Sequence, residues 1–320
     1  MKKVLKITCL VSGVIILTGI IGVSYYTGLE VFNSSMQLSN NEDTGIEKME
    51  EYLKKEGFDI EGFRRKYNIE PVKIKSSTGK HIIPADYISV DGGEDRDTVI
   101  MVHGLGGNRI TVYPTAEVFL KNGYNVLAYD QRSSGENTAQ YTTFGYLESR
   151  DLADCVGYLK NNLSDNKKIG LWGISYGGAT VGIFLGSEKA EQNVDFAILD
   201  SAVSDMTFML FTEMETMDIG IPVEFLMFTG NMVTRMKMGF FYKDADVCIY
   251  TGKTSVPVMV IHSKADTLTP YFMGEDIFNS VPHNRKTIFT VEDSKHADIF
   301  SDHPAEYESN IMEFIKKHTI

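Results

Sequence analysis

From residue 97 onward, short apolar runs alternate with longer stretches of helical spacing. The runs at 98–102, 168–172, 196–199, 257–262 and 286–291 are each bounded by polar turn residues. Runs of that length and composition predict strands, and their alternation with helices predicts a mostly parallel, doubly wound sheet of the α/β class. Ahead of them, 70–75 and 82–90 flank the turn Ser77-Thr78-Gly79-Lys80 and predict an antiparallel pair opening the sheet. Residues 47–67 are charged but carry Met49, Tyr52 and Leu53 on one helical face, which predicts one or two helices at the domain edge.

Two segments break this pattern. Residues 7–23 are almost wholly apolar and follow Lys2, Lys3 and Lys6. With Ser24, Tyr25 and Tyr26 the run approaches the ~20 residues that cross a bilayer. The preceding lysines predict a cytoplasmic N-terminus and a catalytic domain outside. We therefore expect 1–26 to be an anchor in the cell membrane; the alternative is a signal cleaved to release a secreted domain. Gly22-Val23-Ser24 is a poor match to a small-residue cleavage site. Residues 27–43 are polar and are expected to be a tether, leading into the helical segment that ends near 69. The second exception, 203–250, holds eight of the fifteen methionines together with six phenylalanines. Such adaptable apolar surface predicts a helical lid lining an acyl or aromatic pocket. Its charged residues, among them Glu213, Glu215 and Arg235, argue against a second span.

The chemistry begins at Gly173-Ile174-Ser175-Tyr176-Gly177, between a strand-like run and the small-residue helix that starts at Gly178. A serine at a tight strand-to-helix turn with glycines two residues either side is a nucleophile elbow. Serine needs a base, and the base needs an acid to orient it. Asp266 and His296 each fall in a loop just past an apolar strand and stand in the chain order expected of such hydrolases. Asp200, ending the strand before, is the second candidate for the acid. His262 lies inside a strand and is expected in the core. Asp293 and Asp298 stand too near His296 and are expected to cap the loop. Upstream, the strand at 98–102 runs into His103-Gly104-Leu105-Gly106-Gly107. The backbone N–H groups of Leu105 and Tyr176 are the predicted oxyanion donors, with His103 bonding the loop from within. The glycines lack the spacing of either phosphate-binding loop.

The order His103-Gly104, Gly173-x-Ser175-x-Gly177, Asp266, His296 resembles the α/β-hydrolase superfamily over residues 70–320. It is most similar to the bacterial branch called serine aminopeptidase S33-like or cinnamoyl-esterase-like. Tyr129-Asp130-Gln131-Arg132-Ser133-Ser134-Gly135 resembles that branch's Asp-x-Arg-Gly-x-Gly turn, with Ser133 where glycine is usual, so a differently shaped turn is expected there. The resemblance implies the helical insertion, a serine hydrolase activity and no cofactor.

A formal net charge of −12, with no basic patch carrying interleaved aromatics, excludes nucleic acid as an expected partner. Three cysteines form no disulfide framework, and no cluster has metal-ligand spacing. The expected function is a membrane-anchored extracytoplasmic serine hydrolase, a carboxylesterase before the alternatives of a peptidase or amidase, an acyltransferase, or a non-catalytic binding module. The expected substrate is a small-molecule acyl ester or amide.

Overall fold

A computed structural model describes the chain except residues 1, 38, 39, 91, 92, 94, 219 and 320. In chain order, the first helix is α1 (Lys2–Met36), followed by α2 (Ile46–Lys55) and α3 (Ile60–Lys66). Strands β1 (Asn68–Lys75), β2 (Ile82–Ser89) and β3 (Thr98–Val102) precede α4 (Tyr113–Lys121). Then come β4 (Asn125–Tyr129), α5 (Glu148–Asn162), β5 (Ile169–Ile174), α6 (Tyr176–Leu185), α7 (Glu188–Asn193) and β6 (Phe196–Asp200). The insertion carries α8 (Met206–Thr216) and α9 (Val223–Met238), with α10 (Cys248–Thr251) after it. The chain closes with β7 (Val258–Ser263), α11 (Phe272–Ser280), β8 (Lys286–Val291), α12 (Ile299–Asp302) and α13 (Pro304–Thr319).

These elements group into two compact units. The larger holds 37–205 and 245–320. Its eight strands form one sheet in the order β1-β2-β4-β3-β5-β6-β7-β8. β1 pairs antiparallel with β2, and β2 antiparallel with β4; every later pairing is parallel. The predicted antiparallel opening and parallel continuation are both present. The central strands β3, β4, β5, β6 and β7 are buried along almost their whole length, because helices cover both faces of a parallel sheet. Met101, Trp172, Ile198 and Met259 lie on one face in a cluster with Tyr113, Phe119, Tyr307 and Phe314. Each parallel crossover returns the chain to the same edge, so the loops after β3, β5, β6, β7 and β8 gather at the carboxyl ends of the strands.

The smaller unit comprises residues 1–36 and 206–244. Here the structure departs from the sequence reading. The polar stretch expected to start a tether at residue 27 continues α1 without a break to Met36. Phe32 and Met36 are fully buried. The reason is close packing against α9: a Cβ at Gly28 would press on Thr229 and Val233, and one at Gly230 would collide with Val31. Lys237 Nζ lies 4.8 Å over the Phe32 ring. Only glycine permits that approach, and it holds the helix together through polar residues of weak propensity.

Candidate active site

Ser175 sits between β5 and α6 with φ 55° and ψ −120°. A non-glycine residue rarely occupies that region, and the cost is of order 1–3 kcal/mol. The surrounding backbone over-determines it. The Ser175 N–H donates to the Asp200 carbonyl at 2.8 Å. A Cβ at Gly177 would collide with the Val102 and His103 carbonyls, so no other residue fits two positions after the serine.

The three residues singled out in the sequence meet. Ser175 Oγ lies 2.8 Å from His296 Nε2. His296 Nδ1 lies 2.8 Å from Asp266 Oδ2. A carboxylate only accepts, so the neutral imidazole carries its proton on Nδ1 and leaves Nε2 to accept from the serine hydroxyl. The carboxylate is itself fixed. Asp266 Oδ1 accepts the backbone N–H groups of Leu268 at 2.9 Å and Thr269 at 2.8 Å. Thr269 Oγ1 is 2.8 Å from Asp266 Oδ2 and 3.0 Å from His296 Nδ1. Burial pushes the Asp266 carboxyl up, but the bonds from His296 and Thr269 outweigh it and hold it below the usual range. Thr269 was not singled out in the sequence. Its only signal is a spacing of three from Asp266, common to any Asx-type turn.

Asp200, the second candidate acid, faces elsewhere. Its carboxylate accepts from Tyr307 Oη at 2.6 Å and from Ser201 Oγ at 3.0 Å. Tyr307 Oη in turn accepts from Trp172 Nε1 at 2.8 Å. Full burial raises the Asp200 carboxyl to about 6. Asp293 pairs with His303 at 2.9 Å. Asp298 occupies the position before α12, but its side chain makes no capping bond, so the expected cap is absent there. His262 is buried as expected, with Nε2 2.7 Å from the Thr269 carbonyl.

The loop after β3 lies against the serine: a Cβ at Gly104 would sit 3.4 Å from Ser175 Cβ. His103 stitches this loop. Its Nε2 accepts the Gln131 N–H at 2.9 Å, so Nδ1 carries the proton and donates to the Gly104 carbonyl at 2.7 Å. Burial lowers its pKa to about 4, keeping it neutral. Gln131 Nε2 returns a bond to the His103 carbonyl at 2.6 Å, and Gln131 Oε1 accepts from Thr180 in α6 at 2.7 Å. Loop and elbow helix are thereby braced together. Leu105 follows Gly104 in this loop, and the Tyr176 N–H opens α6, where a helix leaves its first amides without intrahelical partners. Ser133 adopts φ 56°, the left-handed region that glycine favours, so the serine there keeps a glycine-like turn.

A family model described as the alpha/beta hydrolase fold matches residues 97–234. Protein YqkD of Bacillus subtilis (strain 168) is 25% identical over 237 residues, covering 74% of each chain. Thiohydrolase aneE of Aspergillus aculeatus is 30% identical over 148 residues, covering 42% of this chain and 46% of that one. Among solved structures, the Pyrococcus furiosus esterase Pf2001 superposes with a TM-score of 0.65 at 23% identity, over 82% of this chain and 97% of that one. Family match, sheet order and structural likeness agree: the chain is an α/β-hydrolase-fold protein.

Proposed function

We propose that the protein is a membrane-anchored serine hydrolase with its catalytic domain outside the cytoplasm, acting on acyl esters. The observation that carries the reading is the unbroken relay from Ser175 Oγ through His296 to Asp266, with 2.8 Å at both steps. Ser175 attacks the acyl carbonyl while its proton passes to His296 Nε2. Asp266 holds the tautomer and stabilises the imidazolium that forms. The Leu105 and Tyr176 N–H groups receive the oxyanion, each worth ~10²–10³ in turnover. The imidazolium then protonates the leaving alkoxide. Water, deprotonated by His296, attacks the acyl-enzyme and releases the acid with the serine restored. No cofactor enters the scheme.

The anchor reading is supported by α1, whose residues 7–23 are exposed and almost wholly apolar and follow Lys3 and Lys6. The packing of Gly28 against α9 supports retention of the segment over its cleavage, since the last turns of α1 belong to a folded unit. Hydrolysis of nitrophenyl esters and acyl thioesters of graded chain length tests the function, with Ser175→Ala and His296→Ala beside the wild type. Ester turnover lost in both variants is the expected result. Turnover that survives Ser175→Ala would remove the serine mechanism, and activity confined to aminoacyl amides would replace ester by amide.

A further inference from the structure

The smaller unit joins the anchor helix directly to α9, and α9 keeps an unpartnered apolar stripe. Between Lys6 and Glu30 lie 23 uncharged residues, about 35 Å of helix at ~1.5 Å per residue. A hydrocarbon core of about 30 Å, entered near Ile7, is left near Tyr26. Among the described residues Gly28 is the first buried one in α1, and it faces Thr229 and Val233. Two residues beyond Tyr26 is an axial rise of about 3 Å, and Val31, which faces Gly230, lies about 7.5 Å beyond. Each headgroup layer is about 5–8 Å deep. With α1 near the bilayer normal, the part of α9 that meets Gly28 and Val31 therefore lies at headgroup depth.

The side chains next to those contacts are apolar and open to solvent. Phe228 precedes Thr229 and is 64% exposed; Met232 precedes Val233 and is 41% exposed; Met236, one turn on, is 61% exposed. They recur every four residues, on a face of α9 other than the one α1 covers. Arg235 lies beside them on the same helix and is exposed, whereas Lys237 turns to Phe32 of α1. An apolar stripe with a cation at its edge suits a helix lying in a bilayer interface.

We propose that α9 docks on the outer leaflet through Phe228, Met232 and Met236, so that the unit formed by α1 and 206–244 is one membrane-interface module. Its partner is the lipid bilayer itself. The inference rests on the anchor reading above. Glu224, at the start of α9 and exposed, limits the docking to headgroup depth.

The test uses the full-length chain in vesicles of phosphatidylethanolamine and phosphatidylglycerol. In a Cys248→Ser background, an environment-sensitive fluorophore is placed on Met232→Cys with Cys9→Ser, on the native Cys9 alone, or on Glu188→Cys with Cys9→Ser. Glu188 lies on α7, in the larger unit. Nitroxide lipids and aqueous iodide are the quenchers. The expected result is strong lipid quenching with blue-shifted emission at 9 and 232, and iodide quenching at 188. A label at 9 in lipid with one at 232 quenched like 188 overturns this inference and leaves the anchor standing. A label at 9 open to iodide overturns both. A label at 232 protected from both quenchers points to a second copy of the chain on the stripe, and also overturns it.

Discussion

Replacing Thr269 by valine keeps the shape of the side chain and removes one hydroxyl. That hydroxyl is buried, 2.8 Å from Asp266 Oδ2 and 3.0 Å from His296 Nδ1. It has a single proton. The Ser201 carbonyl at 3.1 Å competes for it, but the carboxylate is nearer and charged. A bond to a charged acceptor contributes about 1.5–3 kcal/mol. Thr269→Val should lower stability by that amount at neutral pH. The dependence on pH has a definite sign. The Asp266 carboxyl is held below its usual value, so its stabilisation is present above the unfolded pKa of about 3.9 and is lost as pH falls through the lower folded value. The gap between Thr269→Val and wild type should therefore narrow as the pH is taken below about 4. If the same bond is missing when His296 becomes imidazolium, kcat should fall about 10–100-fold. Urea unfolding followed by Trp172, the single tryptophan, reads the first effect, and ester turnover reads the second. Thr269→Ser should restore both. A valine variant with unchanged unfolding midpoint and unchanged kcat would mean that the carboxylate is held without the threonine.

Other consequences follow from particular contacts. Tyr307→Phe removes the donor to buried Asp200 and the acceptor of Trp172 Nε1, and should cost about 1–3 kcal/mol in unfolding free energy, with a change in Trp172 emission. Asp200 itself has a folded pKa raised to about 6, so its contribution is full at low pH and is lost as pH rises through that value. Asp200→Asn should accordingly gain stability relative to wild type between about pH 4 and 7, and a pH-independent difference would contradict this. Gly177→Ala drives a Cβ into the Val102 and His103 carbonyls and should abolish soluble folded protein, as judged by the yield of monodisperse material. Gly28→Leu forces α1 away from α9 and should expose α9 to limited proteolysis while Ser175 stays reactive toward a fluorophosphonate.

Much of the site was legible because its signals are local. A glycine two residues after the serine is demanded by the approach of β3's carbonyls, and that demand is written at one position. The strand runs are legible because burial on both faces leaves few polar positions in β3 through β7. What could not be read depends on partners distant in sequence. Asp200 and Asp266 both end or follow a strand, and only the fold shows that Tyr307, more than a hundred residues on, claims the first. Thr269 looks like any turn threonine until His296 is set beside it. The continuation of α1 through 27–36 runs against local polarity, and arises because Gly28 and Gly230 let two helices touch. At Ser133 a serine adopts the backbone that glycine favours, which composition alone would not predict.

We propose above that Ser175 is the activated nucleophile, and the 2.8 Å approach of His296 Nε2 supports it. Its most direct test is to treat the full-length protein with a fluorophosphonate and locate the adduct by peptide mass mapping, beside Ser175→Ala and His296→Ala. One adduct is expected, on Ser175, absent from the alanine variant at 175 and slowed strongly when His296 is removed. Labelling at another serine, or at the same rate without His296, would contradict it.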